Sequence, residues 1–214
     1  SDLAGRTAKG TPVVNIIEKS PEEKISEIIP VKEFSDNEYL VMVTKNGIIK
    51  KTPASEYESI RKSGKIAITL KEGDELISIF KTTGNDNIFL ATRNGMAICF
   101  NENDARAVGR TASGVKAIDL ADGDYVVGAE PVREDSKVLL VTDGGYGKCT
   151  DLTSFRIQHR GGKGLKAYKI TEKTGNIIGI SMVNDSEELI MVTSEGVVIR
   201  IRIKDIATTT GRIT

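Results

Sequence analysis

Short apolar runs, each closing on threonine and running into a polar turn with glycine, punctuate the chain. They read Leu40-Val-Met-Val-Thr-Lys-Asn-Gly47, Phe89-Leu-Ala-Thr-Arg-Asn-Gly95, Leu139-Leu-Val-Thr-Asp-Gly-Gly145 and Leu189-Ile-Met-Val-Thr-Ser-Glu-Gly196. Runs this short, rich in β-formers and bounded by turn residues, predict strands. The first spans 39–44 and is followed by a second run at 48–51 across Asn46-Gly47. Asn-Gly predicts a tight hairpin, because both residues tolerate positive φ. A loop follows, with a helical turn expected near 55–60 or 151–155. Third strands are predicted at 66–70, 115–120 and 165–170, and fourth strands at 76–80, 125–130 and 176–181. Lys71-Glu-Gly-Asp74 and Ala121-Asp-Gly-Asp124 supply turns between them. No helical period persists beyond three turns.

The pattern is one unit repeated. Hairpin glycines 47, 95, 145 and 196 are spaced by 48, 50 and 51 residues, and a second series at 10, 64, 114 and 164 by 54, 50 and 50. Two independent markers sharing one period establish a repeat. Four strands per unit of about fifty residues predict an all-β, propeller-like array of four-stranded blades. A β-sandwich is the competing all-β architecture, but it requires no such period. The expected units are residues 1–34, the end of a preceding blade, then blades at 35–84, 85–134 and 135–184, and an incomplete blade at 185–214. Gly5-Arg-Thr-Ala-Lys-Gly10 is twinned by Gly109-Arg-Thr-Ala-Ser-Gly114, and Gly211-Arg-Ile-Thr214 begins the same element, so a fragment of a longer array is expected.

Composition adds limits. The 214 residues carry 30 Lys and Arg against 30 Asp and Glu, with two cysteines, one histidine and no tryptophan. No apolar run is long enough for a membrane-spanning helix, and two cysteines form no disulfide framework, which fits a reducing compartment. A zero net charge argues against a nucleic-acid partner until its distribution is considered. Between Gly144 and Lys173 lie seven basic residues and two acids, a local +5 that the rest of the chain balances. Such a patch attracts phosphate within a Debye length whatever the total.

Its centre is Gln158-His-Arg-Gly-Gly-Lys-Gly164. Gly161, Gly162 and Gly164 allow a tight loop, from which Arg160 and Lys163 and exposed backbone N–H groups are expected to meet phosphate. Gln158, His159, Arg156, Lys166 and Lys148 lie in the same stretch. The other units carry Arg61, Lys62 and Lys65, Arg106 and Arg110, and Arg6 and Lys9 at this loop, with Lys50, Lys51, Arg200 and Arg202 after the hairpins. Together they predict a discontinuous positive track that bent duplex DNA follows through backbone contacts. A flexible Gly-Lys loop offers little base-specific readout. Cys99 and Cys149 occupy equivalent positions of two units, without companions for a metal site, and His159 lacks a nucleophile partner by motif, so neither catalysis nor a cofactor is expected. A protein-interaction propeller, its glycine loops merely closing blades, is the alternative class.

The Gln158–Gly164 element, the Gly-Arg-Thr-Ala-x-Gly elements and the repeated hairpins resemble the C-terminal domain of the DNA gyrase A subunit over essentially the whole chain. The resemblance implies a β-pinwheel, whose blades exchange strands and around whose rim DNA wraps, usually with six blades, of which this chain resembles the last four. It also implies a non-catalytic role in negative supercoiling within a bacterial, cytoplasmic and nucleoid-associated complex. Strand cleavage belongs to other parts of the holoenzyme, ATP and Mg2+ serve the holoenzyme, and the A subunit's N-terminal region and gyrase B are its partners. The family's defining box is a Gln-Arg-Arg-Gly-Gly-Lys-Gly element in the first blade. Here His159 stands for one arginine and the element falls in a later blade, so DNA binding without a full wrap is expected. The related topoisomerase IV subunit, built from similar blades, is the close alternative.

Overall fold

The computed structural model describes residues 25, 27–59, 64–209 and 211. Within them the regular structure is strands and single 3-10 turns. β1 (Tyr39–Thr44) and β2 (Ile48–Pro53) form the first hairpin, and β3 (Leu76–Thr82) pairs with the other side of β1. β4 (Asn87–Thr92), β5 (Met96–Asn101) and β7 (Val126–Pro131) repeat this arrangement, as do β8 (Lys137–Thr142), β9 (Gly147–Asp151) and β11 (Ile177–Val183). β12 (Glu188–Val192) and β13 (Val198–Arg202) pair as a two-stranded sheet. The anticipated helical turns are 3-10 turns at Ala54–Tyr57 and Leu152–Ser154, with counterparts at Glu102–Asp104 and Ile203–Asp205.

The third strands differ from expectation. Only β6 (Val115–Lys116) and β10 (Leu165–Lys166) are strands, and residues 66–70 form no strand. Moreover, each joins the sheet of the preceding unit. β6 pairs with β2, giving the order β3-β1-β2-β6, and β10 pairs with β5, giving β10-β5-β4-β7. In the third sheet the outer place is taken by β14 (Thr208–Thr209), which runs parallel to β9. Each four-stranded sheet therefore borrows its outer strand from the next unit, and a contiguous stretch of sequence does not bound a sheet.

The reason for unbroken apolar runs is visible in β4. Ile88 and Leu90 pack with Val41, Val43 and Ile49 of the first sheet, whereas Phe89 and Ala91 pack with Val138, Leu140 and Phe155 on the third-sheet side. Successive side chains of a strand point to opposite faces, and here both faces are covered by a neighbouring sheet, so neither can be polar. Phe89 meets Phe155 edge-on, with centroids 4.9 Å apart. The inner strands β3, β7 and β11 pack in succession, while the exchanged strands lie along the outer edges.

Candidate nucleic-acid interface

The outer edge is built by the segment that carries each exchanged strand. It first runs alongside the preceding hairpin: Val108 N donates to Lys51 O, and Gln158 N to Cys99 O, at 2.9 and 2.8 Å. It then turns and comes back as β6 or β10. The return passes so close that a Cβ on Gly114 or Gly164 would lie 2.4 Å from Ile49 O or Ala97 O, at φ of +89° and +75°. Only glycine fits those two positions. Gly161 also has positive φ, but a Cβ on Gly162 would meet nothing closer than 3.9 Å.

Several backbone groups expected to face phosphate are spent inside the protein. Gly161 N donates to Ala117 O at 2.6 Å, and Arg160 N donates to Asp104 Oδ2 at 3.2 Å. Gly162 O accepts from Asp119 N at 2.8 Å. The loop is clamped onto the strand exchanged before it, where the sequence suggested an open phosphate nest.

The expected cations divide into three groups. Lys50, Lys51 and Lys148 are buried, contrary to their place on a surface track. Position 50 lies inside the rim, where the Lys50 ammonium donates to Ala67 O and Arg110 O; desolvation, with Arg110 adding to it, pushes its pKa down to about 8. Lys51 pairs with buried Glu102 at 3.0 Å and lies 4.2 Å from the Tyr39 ring centroid. Lys148 sits over Tyr168 at 5.1 Å, and burial lowers its pKa. The run of apolar neighbours at these positions, including Ile98 and Cys99 one repeat away, was the signal that they point inward.

Arg110 and Arg160 form the second group, half-buried and bonded to backbone carbonyls. The third group is exposed: Arg106, Arg156, His159, Lys163 and Lys166; Lys65 and Gln158 are half-buried. His159 Nδ1 lies 3.1 Å from Asp104 Oδ2, although its side chain is 97% exposed. Arg200 and Arg202 are exposed but paired with Glu188 and Asp205. Arg6, Lys9, Arg61 and Lys62 lie outside the described residues.

Sequence reading missed Lys116, which occupies on β6 the place of Lys166 on β10; the fifty-residue period was the signal. Its ammonium pairs with Asp119 at 2.9 Å, and with Lys163 behind it holds that carboxyl below the usual range. Asp104, the partner of both His159 and Arg160, carried no signal, since its role depends on a strand arriving from the next unit. Cys99 and Cys149 are buried thiols whose pKa burial raises, to about 11 for Cys99, as suits packing groups. Among the described residues no group of three or more His, Cys, Asp or Glu is arranged to hold a metal.

Four stretches of the chain, 38–83, 86–133, 136–184 and 187–214, match the family described as DNA gyrase C-terminal domain, beta-propeller. The chain belongs to the DNA gyrase C-terminal domain family. The DNA gyrase A subunit of Halalkalibacterium halodurans is 58% identical over 210 residues, covering 98% of this chain and 25% of the relative. That of Clostridium acetobutylicum is 53% identical over 206 residues, covering 96% and 25%. The chain thus spans about a quarter of the length of these curated relatives. Among solved structures, the C-terminal domain of a DNA topoisomerase IV superposes with a TM-score of 0.89 at 30% identity, covering 96% of this chain and 64% of that one. A DNA gyrase A C-terminal domain gives 0.85 at 25%, covering 96% and 69%. In this gyrase C-terminal fold the strand-exchanged array is a β-pinwheel, and the box-like segment of 158–164 is the seam between two of its blades.

Proposed function

We propose that this chain is a non-catalytic, DNA-binding and DNA-wrapping region of a gyrase A-type subunit, guiding duplex DNA during ATP-dependent negative supercoiling. The observation that carries this reading is the gathering of exposed cations, Arg106, Lys116, Arg156, Lys163 and Lys166, on the segments that form the outer edges of successive sheets. Their spacing follows the blade repeat, so a curved polyanion passing along the edges meets them in turn. Exposed lysines on extended segments neutralise phosphates without reading bases, which suits sequence-independent contact. Identities of 53% and 58% to gyrase A subunits support gyrase over topoisomerase IV. Cleavage and ATP hydrolysis, with its Mg2+, fall in this reading to other parts of the bacterial complex, the A subunit's N-terminal region and gyrase B.

The test is binding of unrelated duplexes at low and moderate salt. Similar affinities that fall steeply with salt are expected, and the K163A/K166A double variant should flatten the log–log salt slope by about 1–2. Absence of duplex binding at either salt would favour a protein-interaction propeller.

A further inference from the structure

Arg160 of the box-like segment and Arg110 of the Gly109–Gly114 element sit where a phosphate clamp would be sought, yet their guanidinium groups are already engaged. Arg160 Nε donates to Asp104 O at 2.8 Å, and its Nη1 donates to Lys116 O at 2.9 Å. Asp104 ends the turn after β5, in the second sheet, whereas Lys116 lies in β6, the outer strand of the first. One planar group therefore bridges two neighbouring blades. Arg110, fifty residues earlier, donates through Nη1 to Ile66 O at 2.6 Å, and Ile66 holds the repeat position of Lys116. The next residue repeats the theme with different donors. Ala67 O accepts from the buried Lys50 ammonium, and its equivalent Ala117 O accepts from Gly161 N. A contact made twice at equivalent positions belongs to the repeat.

Its mechanical meaning follows from where neighbouring blades touch. Along the inner edge β3 packs on β7, and β7 on β11; between the sheets lie the apolar clusters. The apolar contacts are non-directional and permit small rotations about the inner edge. The outer edge is held by hydrogen bonds of fixed geometry, furthest from that axis, where they have the greatest leverage on the angle.

We infer that Arg110 and Arg160 are positioning residues that fix the angle between successive blades, and so the bend of bound DNA, without contacting phosphate. The bearing on DNA rests on the duplex-binding reading above; the bearing on blade angle does not. At position 160 arginine is required because its rigid fork reaches the carbonyls of Asp104 and Lys116 at once, whereas lysine is a point charge on a flexible stem. The Gly161–Ala117 and Asp119–Gly162 bonds remain when the side chain is removed, so a variant at Arg160 loosens the seam without unfolding it.

Two measurements on the 214-residue chain separate positioning from phosphate contact. In the first, spin labels at Glu72→Cys and Asp122→Cys, exposed turns preceding β3 and β7, report the first two blades by pulsed dipolar spectroscopy. The native cysteines are buried and resist labelling. R160A and R160K should both broaden the distance distribution; an unchanged distribution overturns the inference. In the second, duplexes of about 20 and about 120 bp are compared, the shorter being far below the DNA persistence length. Both variants should bind the short duplex within about twofold of the parent with the same salt slope, and show reduced end-to-end energy transfer on the long one. A lower short-duplex affinity and a slope reduced by about one in R160A, both restored in R160K, would make Arg160 a phosphate contact and sink the proposal. Should the parent bind neither duplex, the duplex-binding reading fails, and the label distances alone decide for or against the seam.

Discussion

Lys50 shows how a single position can look like a surface cation and be the opposite. Its side chain is 1% exposed, its ammonium donates to Ala67 O and Arg110 O, and its pKa is pushed down to about 8 from 10.5. Between those two values the unfolded chain still holds a proton that the folded chain has released. This group therefore makes stability rise with pH across that window, while at lower pH both states are protonated and the cost of burying the charge is borne in full. The stability of the parent minus that of K50M, from urea unfolding, should grow between about pH 7.5 and about pH 10; a flat difference would show that the lysine does not titrate there. Taking the difference cancels the opposing contributions of Cys99 and other groups that titrate in the same range. Gly164 is decisive for steric reasons. G164A would place a Cβ 2.4 Å from Ala97 O at a φ of +75°, so a loss of about 2–4 kcal/mol is expected in denaturant unfolding, against less than about 0.5 kcal/mol for G162A.

At the scale of elements, Glu102 ties the connection between the first two blades. This fully buried carboxylate accepts from Thr82 Oγ1, Gly84 N and Asp86 N at 2.6–2.8 Å and pairs with Lys51 at 3.0 Å. Removing it strands a buried ammonium and two backbone donors, so E102A should cost about 3–5 kcal/mol by equilibrium unfolding, and K51M/E102A less than the single change. The elements themselves were largely legible in the sequence. β1, β3, β4, β7, β8 and β11 lie where short apolar runs between turn residues predicted strands; β1, β4 and β8 are buried on both faces, and the half-buried β3, β7 and β11 were marked by the turns that precede them. The exchanged strands were overestimated: Ala117, Ile118, Ala167 and Tyr168 are apolar because they pack beneath a neighbouring hairpin, although they pair with no strand. For the interface, charge identified the right segment but not the direction of each side chain. For Lys50 the apolar Ile98 one repeat away hinted at the inward direction, whereas for Arg160 the choice between solvent and carbonyls depends on a strand contributed from another unit, which residue type does not encode.

For the whole molecule, curvature and charge fall to different residues in the proposed reading. Lys163 and Lys166 are exposed, whereas the half-buried Arg110 and Arg160 and the buried Lys50 are spent on the seam, so in the proposed reading the former meet the polyanion and the latter do not. Neutral overall charge is compatible with this arrangement, since only the outer edge needs a positive field at close range. The borrowed outer strands have a further consequence, in the order of assembly. The sheet founded by β1 and β2 cannot be finished until β6 has been synthesised, nor that of β4 and β5 until β10 exists. As the chain emerges from the ribosome, each of the three four-stranded sheets waits with an open edge for part of the next unit, a template for mispairing until it is filled. Completion therefore passes down the chain one unit late.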